Sequence, residues 1–79
     1  MLEPEKIEAW ISAGLGCDLI DVDGDGHHFE AIIVSRAFEG LSRVGRQQLV
    51  NAILKPHFDS GELHALSMKT LTPEEWQRG

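Results

Sequence analysis

The chain has 79 residues, 42% of them hydrophobic, and carries 13 Asp and Glu against seven Lys and Arg, for a formal net charge of −6. One small soluble domain over residues 1–79 is the expectation, and a chain this short buries only about 60 to 65% of its unfolded surface, which leaves no room for a deep, water-excluding substrate cavity. Enzyme chemistry on small molecules and a main role in coating nucleic acid are therefore both disfavoured, and function is expected at a surface or in a few exposed ligands.

Pro4 suits the first position of a helix, and Ile7, Trp10 and Ile11 then fall on one face at i, i+3 and i+4 before Gly14; this predicts a helix over Pro4–Ala13. Asp18-Leu19-Ile20-Asp21-Val22-Asp23 reads as a strand with Ile20 and Val22 on one face. A turn at Gly24-Asp25-Gly26 leads into a second strand, His28–Ser35, rich in β-branched residues, so the two form a hairpin. Phe38–Leu41 reads as a turn or single helical turn, and Ser42 as the N-cap of a helix reaching about Lys55, where Pro56 stops it. Glu62–Leu71 alternates as a third strand, with His64, Leu66 and Met68 on one face. Thr72, Pro73 and Glu75 form a capping-box pattern for a short last helix, expected to pin Trp76 to the body.

The order is thus helix, strand, strand, helical pair, strand, short helix. A helical crossover lets the second and third strands run parallel. His28 opens one and His64 lies near the start of the other, so both imidazoles are expected at the same end of the sheet. Neighbouring strands lie about 4.8 Å apart, which puts the pair within reach of one metal centre.

The remaining patterns are mostly negative. Asp21-Val22-Asp23-Gly24-Asp25-Gly26 opens like a calcium loop, but the twelfth position, which must supply a bidentate carboxylate, is Ile32, and the flanks read as strands. No phosphate-cradling glycine loop occurs, and no two of the eight glycines stand three apart as a G-x-x-G backbone clamp requires. The lone Cys17 has no C-x-x-C partner and reads as a small, part-buried apolar residue of a reducing cytoplasm. Met1 to Trp10 holds three glutamates and no apolar run, so it reads as neither a signal nor a transit peptide. No serine sits in a nucleophile motif.

Charge is unevenly spread. Met1–Glu30 has a balance of −7, whereas Arg36, Arg43, Arg46 and Lys55 against Glu39 give the following segment +3. Such a stretch is either a solvated helix face or a docking surface for an acidic partner or phosphate. The four histidines, His27, His28, His57 and His64, are numerous for this length and can bind iron, zinc or copper as neutral imidazoles.

Three blocks carry a resemblance. Phe38-Glu39-Gly40-Leu41-Ser42, then Arg46-Gln47-Gln48-Leu49-Val50, and finally His64-Ala65-Leu66-Ser67 running through Lys69-Thr70-Leu71-Thr72-Pro73-Glu74-Glu75-Trp76 closely resemble the BolA family, most of all its small bacterial members of the IbaG/YrbA type. The resemblance spans nearly the whole chain. It implies a class II KH-like α+β fold of order αββααβα, with a three-stranded mixed sheet covered by helices on one face. It also implies a non-enzymatic partner of monothiol glutaredoxin, monomeric alone and heterodimeric with that partner, sharing a [2Fe-2S] cluster with it and with glutathione in cluster trafficking or iron and stress sensing. By the same resemblance His64 matches the family's general cluster ligand, and His28, or its neighbour His27, the second ligand from the hairpin. The alternative it carries is a KH-like transcriptional regulator that binds DNA through Arg36, Arg43, Arg46 and Lys55.

Overall fold

Two apolar periods, of three to four residues and of two, sort the chain into its elements. The computed structural model describes every residue from Met1 to Gly79 as α1 (Pro4–Gly14), β1 (Leu19–Gly24), β2 (His28–Val34), a 3₁₀ turn (Arg36–Phe38), α2 (Arg43–Asp59), β3 (Ala65–Leu71) and α3 (Pro73–Arg78). The strands lie in the order β1-β2-β3, with β1 antiparallel and β3 parallel to β2. This is the expected α+β arrangement with a mixed three-stranded sheet.

One face of the sheet makes the core. Phe29, Ala31 and Ile33 alternate along β2 and meet Val22 of β1, Ile7 and Ile11 of α1, and Val50 and Leu54 of α2, all buried. Leu66 and Met68 of β3 are half-buried against the same cluster. The opposite face carries Asp21, Asp23, Glu30, Ser67 and Lys69, all exposed. At one end of α2, the His57 ring stacks on Trp10 of α1 with centroids 3.5 Å apart and planes 11° from parallel, which ties the two helices together.

The hairpin turn is set by backbone geometry. A Cβ on Gly24 would come within 2.5 Å of the His28 carbonyl oxygen, and Gly26 has φ of 100°, a conformation that side chains disfavour. Asp25 Oδ1 accepts from the amides of His27 and His28, both at 2.9 Å, so the turn residue itself fixes where β2 begins.

Three local expectations are corrected. The helix does not stop at Pro56 but runs on to Asp59. In this last turn the missing proline amide orphans only the Ala52 carbonyl, and Ala52 is exposed, so water can replace the bond while Phe58 packs on the core. The third strand begins at Ala65 rather than Glu62, because the Leu63 amide turns back to the His57 carbonyl at 3.0 Å and buries the Leu63 side chain. Phe38–Leu41 is a turn as expected, closed by the Leu41 amide donating to the Phe38 carbonyl at 3.0 Å, and a 3₁₀ turn at Arg36–Phe38 precedes it, capped by the Ser35 hydroxyl, which accepts from the Ala37 amide. Finally, Trp76 stays 45% exposed; α3 is held by its neighbour Glu75.

Ser35 is the fully buried polar residue of the fold. Its hydroxyl donates to the Gly16 carbonyl and accepts from the Ala37 amide at 3.1 Å, joining the loop before β1 to the end of β2. Ser35→Ala leaves both backbone groups unpaired in the interior, and a loss of about 1–3 kcal/mol in urea unfolding is expected.

Candidate functional site

The parallel register brings the candidate ligands together. His28 stands opposite Ala65, so His64 lies one residue before the cross-strand partner of His28, at the same end of the sheet. His27, His28 and His64 are all exposed. Asp25 faces the amides of His27 and His28, and those two hydrogen bonds hold its carboxyl below the ordinary carboxylate range. No three His, Cys, Asp or Glu side chains of this chain converge as a metal site. The fourth histidine belongs elsewhere: besides stacking on Trp10, His57 Nδ1 lies 3.3 Å from Glu62 Oε1.

Cys17 is at the other end of the sheet, where the next amide, Asp18, donates to the Val34 carbonyl. Its Sγ donates to the Leu15 carbonyl at 3.3 Å, and partial burial, with Asp18 adding to it, pushes the thiol up. A protonated, half-buried thiol is a poor nucleophile, in keeping with an apolar role.

The four basic residues do not form one patch. Arg36 lies 3.9 Å from Asp18, and Lys55 2.9 Å from Asp59. Arg43 and Lys55 stand near opposite ends of α2, roughly 18 Å apart along its axis at 1.5 Å per residue. Arg46 is turned inward, with only 13% of its side chain exposed. Its Nε donates to the Leu41 carbonyl at 3.1 Å, one terminal nitrogen donates to Thr70 O at 3.2 Å and Glu75 Oε1 at 2.7 Å, and the other to Glu75 Oε2 at 3.3 Å. The guanidinium also lies 5.9 Å from the centre of the Phe38 ring.

Glu75 completes this junction. Its Oε1 accepts from the Thr72 amide at 2.8 Å, and the Thr72 hydroxyl accepts from the Glu75 amide, closing the capping box. The Arg46 guanidinium first, and the Thr72 amide second, lower its carboxyl to about 2. Sequence reasoning found the box but not the ion pair, since nothing local links residues 46 and 75. It also missed Lys69, which the fold brings beside Arg43 and Arg46.

The model of the BolA family, described as BolA-like protein, matches residues 12–75. The chain belongs to the BolA family. Among its relatives, the acid stress protein IbaG of Escherichia coli K12 is 38% identical over 77 residues, covering 98% of this chain and 92% of that one. A bolA protein homologue from Coxiella burnetii superposes with a TM-score of 0.89 at 42% identity, covering 99% of this BolA-family chain and all of its own. The BolA domain of SufE1 from Arabidopsis thaliana gives 0.82 at 31% identity over 95% and 99% of the two chains. No helix of this family member is long and apolar enough to cross a membrane.

The depressed Glu75 carboxyl gives a pH prediction with a definite sign. A carboxylate held below its unfolded value contributes stability that is full above that ordinary value and is lost as pH falls through the folded one. Thermal melts of wild type and Glu75→Gln are expected to differ at pH 6, to converge between about pH 4.5 and pH 2, and to coincide below.

Proposed function

We propose that this chain is a non-catalytic, cytoplasmic partner of a monothiol glutaredoxin, in which His64 and His28 ligate one iron of a [2Fe-2S] cluster held between the two proteins. The observation that carries the reading is the register of β2 and β3, which sets His28 and the residue before Ala65 at one open end of the sheet. The donor set suits the group. Imidazole is a good iron ligand, and two imidazoles can replace two thiolates on one iron of such a cluster. The other iron needs thiolates, and this chain's one cysteine stands at the far end of β2. Half a ligand set on one protein matches a cluster shared with glutaredoxin and glutathione. When bound, the cluster supplies a transferable iron-sulfide unit whose potential is raised by nitrogen ligands.

The residues present do the rest. Asp25 holds the amides of His27 and His28 and so orients the start of β2. Exposure of His28 and His64 leaves room for a partner to approach and for the cargo to leave. Imidazole binds metal only when neutral, so acidification competes directly with this ligation. That property suits a role in iron-sulfur trafficking or in iron and stress sensing; the Escherichia coli relative carries acid stress in its name. A DNA-binding regulator built on Arg36, Arg43, Arg46 and Lys55 receives less support, because Arg46 is held inward and two of the others face carboxylates.

Reconstitution with a monothiol glutaredoxin and glutathione tests the assignment. Visible circular dichroism and nitrogen hyperfine spectra of the heterodimer are expected to lose their mixed-ligand signature in His64→Ala and to change in His28→Ala, with His27→Ala unaffected. An unchanged spectrum for His64→Ala sinks the ligand assignment. Titration with duplex DNA at two salt concentrations is expected to show negligible binding even at the lower one, whereas tight binding that falls steeply with salt supports the regulator instead.

A further inference from the structure

Four of the seven lysines and arginines stand beside a carboxylate: Arg36 with Asp18, Arg46 with Glu75, Lys55 with Asp59 and Arg78 with Glu74. Lys6, Arg43 and Lys69 do not. Two of these three line the same cleft, a space of about 300 Å³ walled by Arg43, Arg46, Lys69, Thr70, Leu71 and Glu75. Glu75 turns one oxygen to Arg46 and the Thr72 amide and the other to Arg46 again, so it neutralises that guanidinium and is not free to answer the other two cations. A chain of net charge −6 therefore contains a cleft with three cations and one carboxylate, a local balance of +2.

The cleft has an apolar border. Leu71, half-exposed, forms part of its wall, and Leu41, whose carbonyl accepts from Arg46, is 39% exposed. Large aliphatic side chains left in water at the lip of a cationic cleft mark an interaction surface rather than a general solvated face.

We propose that this cleft docks an acidic peptide segment, with carboxylates taken by Arg43 and Lys69 and an aliphatic side chain between them laid on Leu71 and Leu41. Charge complementarity selects the occupant. The negative body repels acidic segments everywhere except where the local balance reverses, so the cleft is a focused attractor for one. The Arg43 fork can take a carboxylate through two parallel hydrogen bonds, and the Lys69 ammonium a second as a point charge. A free phosphate would answer the cations but leave Leu71 and Leu41 uncovered. Nucleic acid needs cations along a track, and Arg36 and Lys55 are paired elsewhere.

The cleft is also separate from the histidine end. Thr70 and Leu71 close β3, whereas His64 precedes it, and six residues of strand span roughly 20 Å. The inference thus goes beyond the cluster reading and does not rest on it.

Amide chemical-shift mapping on the full chain tests it without cluster or glutaredoxin. The probe is a blocked pentapeptide, Glu-Asp-Leu-Asp-Glu, with a second peptide in which serine replaces leucine. Shifts are expected at Leu41, Arg43, Lys69, Thr70 and Leu71. Arg43→Glu combined with Lys69→Glu is expected to weaken binding about tenfold or more, and the milder Arg43→Gln and Lys69→Gln serve if the double reversal disturbs folding. Lys6→Glu, a reversal at the remaining unpaired cation, is expected to change affinity less than about twofold. The serine peptide is expected to bind more weakly than the leucine one, and inorganic phosphate at equal ionic strength to leave these amides in place. Shifts mapping elsewhere, an equal loss with Lys6→Glu, or equal binding by the serine peptide or phosphate would each overturn the proposal.

Discussion

The parallel pairing of β2 with β3 is the constraint from which the rest of the molecule follows. Parallel neighbours cannot be joined by a tight turn, so the chain must leave the top of β2, cross the sheet and return to its starting end. The crossover is α2, and its 17 residues bring the chain back to the bottom of the sheet. Val50 and Leu54 bury against the face that Phe29, Ala31 and Ile33 present. With helices on one face only, the other face keeps its charges in water.

The same pairing gives the sheet two chemically different ends. Where β2 and β3 begin, the side chains are imidazoles, exposed and placed by a hairpin whose shape depends on Gly24, Asp25 and Gly26. Where they finish, the chain closes on itself through hydrogen bonds between distant segments. Ser35 ties the end of β2 to the loop before β1, the Ser35 amide donates to the Leu71 carbonyl, and Arg46 joins Leu41, Thr70 and Glu75. Long-range hydrogen bonds are concentrated at that second end, and exposed imidazoles at the first.

Arg46 shows how charge counting on a sequence goes astray. Counted with Arg36, Arg43 and Lys55 it gives a basic segment, yet its guanidinium lies over Phe38 and its donors are engaged by two carbonyls and one carboxylate. Its effect is structural, and it gives α3 an anchor that Trp76 does not provide. The unpaired charge at that end comes instead from Arg43 and from Lys69, which stand 26 positions apart in the chain.

Local chemistry determined much by itself. Proline and glycine positions, apolar spacing, the Ser42 cap and the Thr72 capping box are short-range signals, and each element appears where they place it to within a few residues. The crossover length made the parallel pair legible, and with it the meeting of His28 and His64 at one end. Contacts between distant residues were decided only by the tertiary structure. Phe58 and the Trp10–His57 stack carry α2 past Pro56, the return of Leu63 to His57 shortens β3, and Glu75 reaches Arg46 rather than solvent. No local pattern encodes these, because each depends on which side chain the completed sheet and crossover bring within a few ångströms of another.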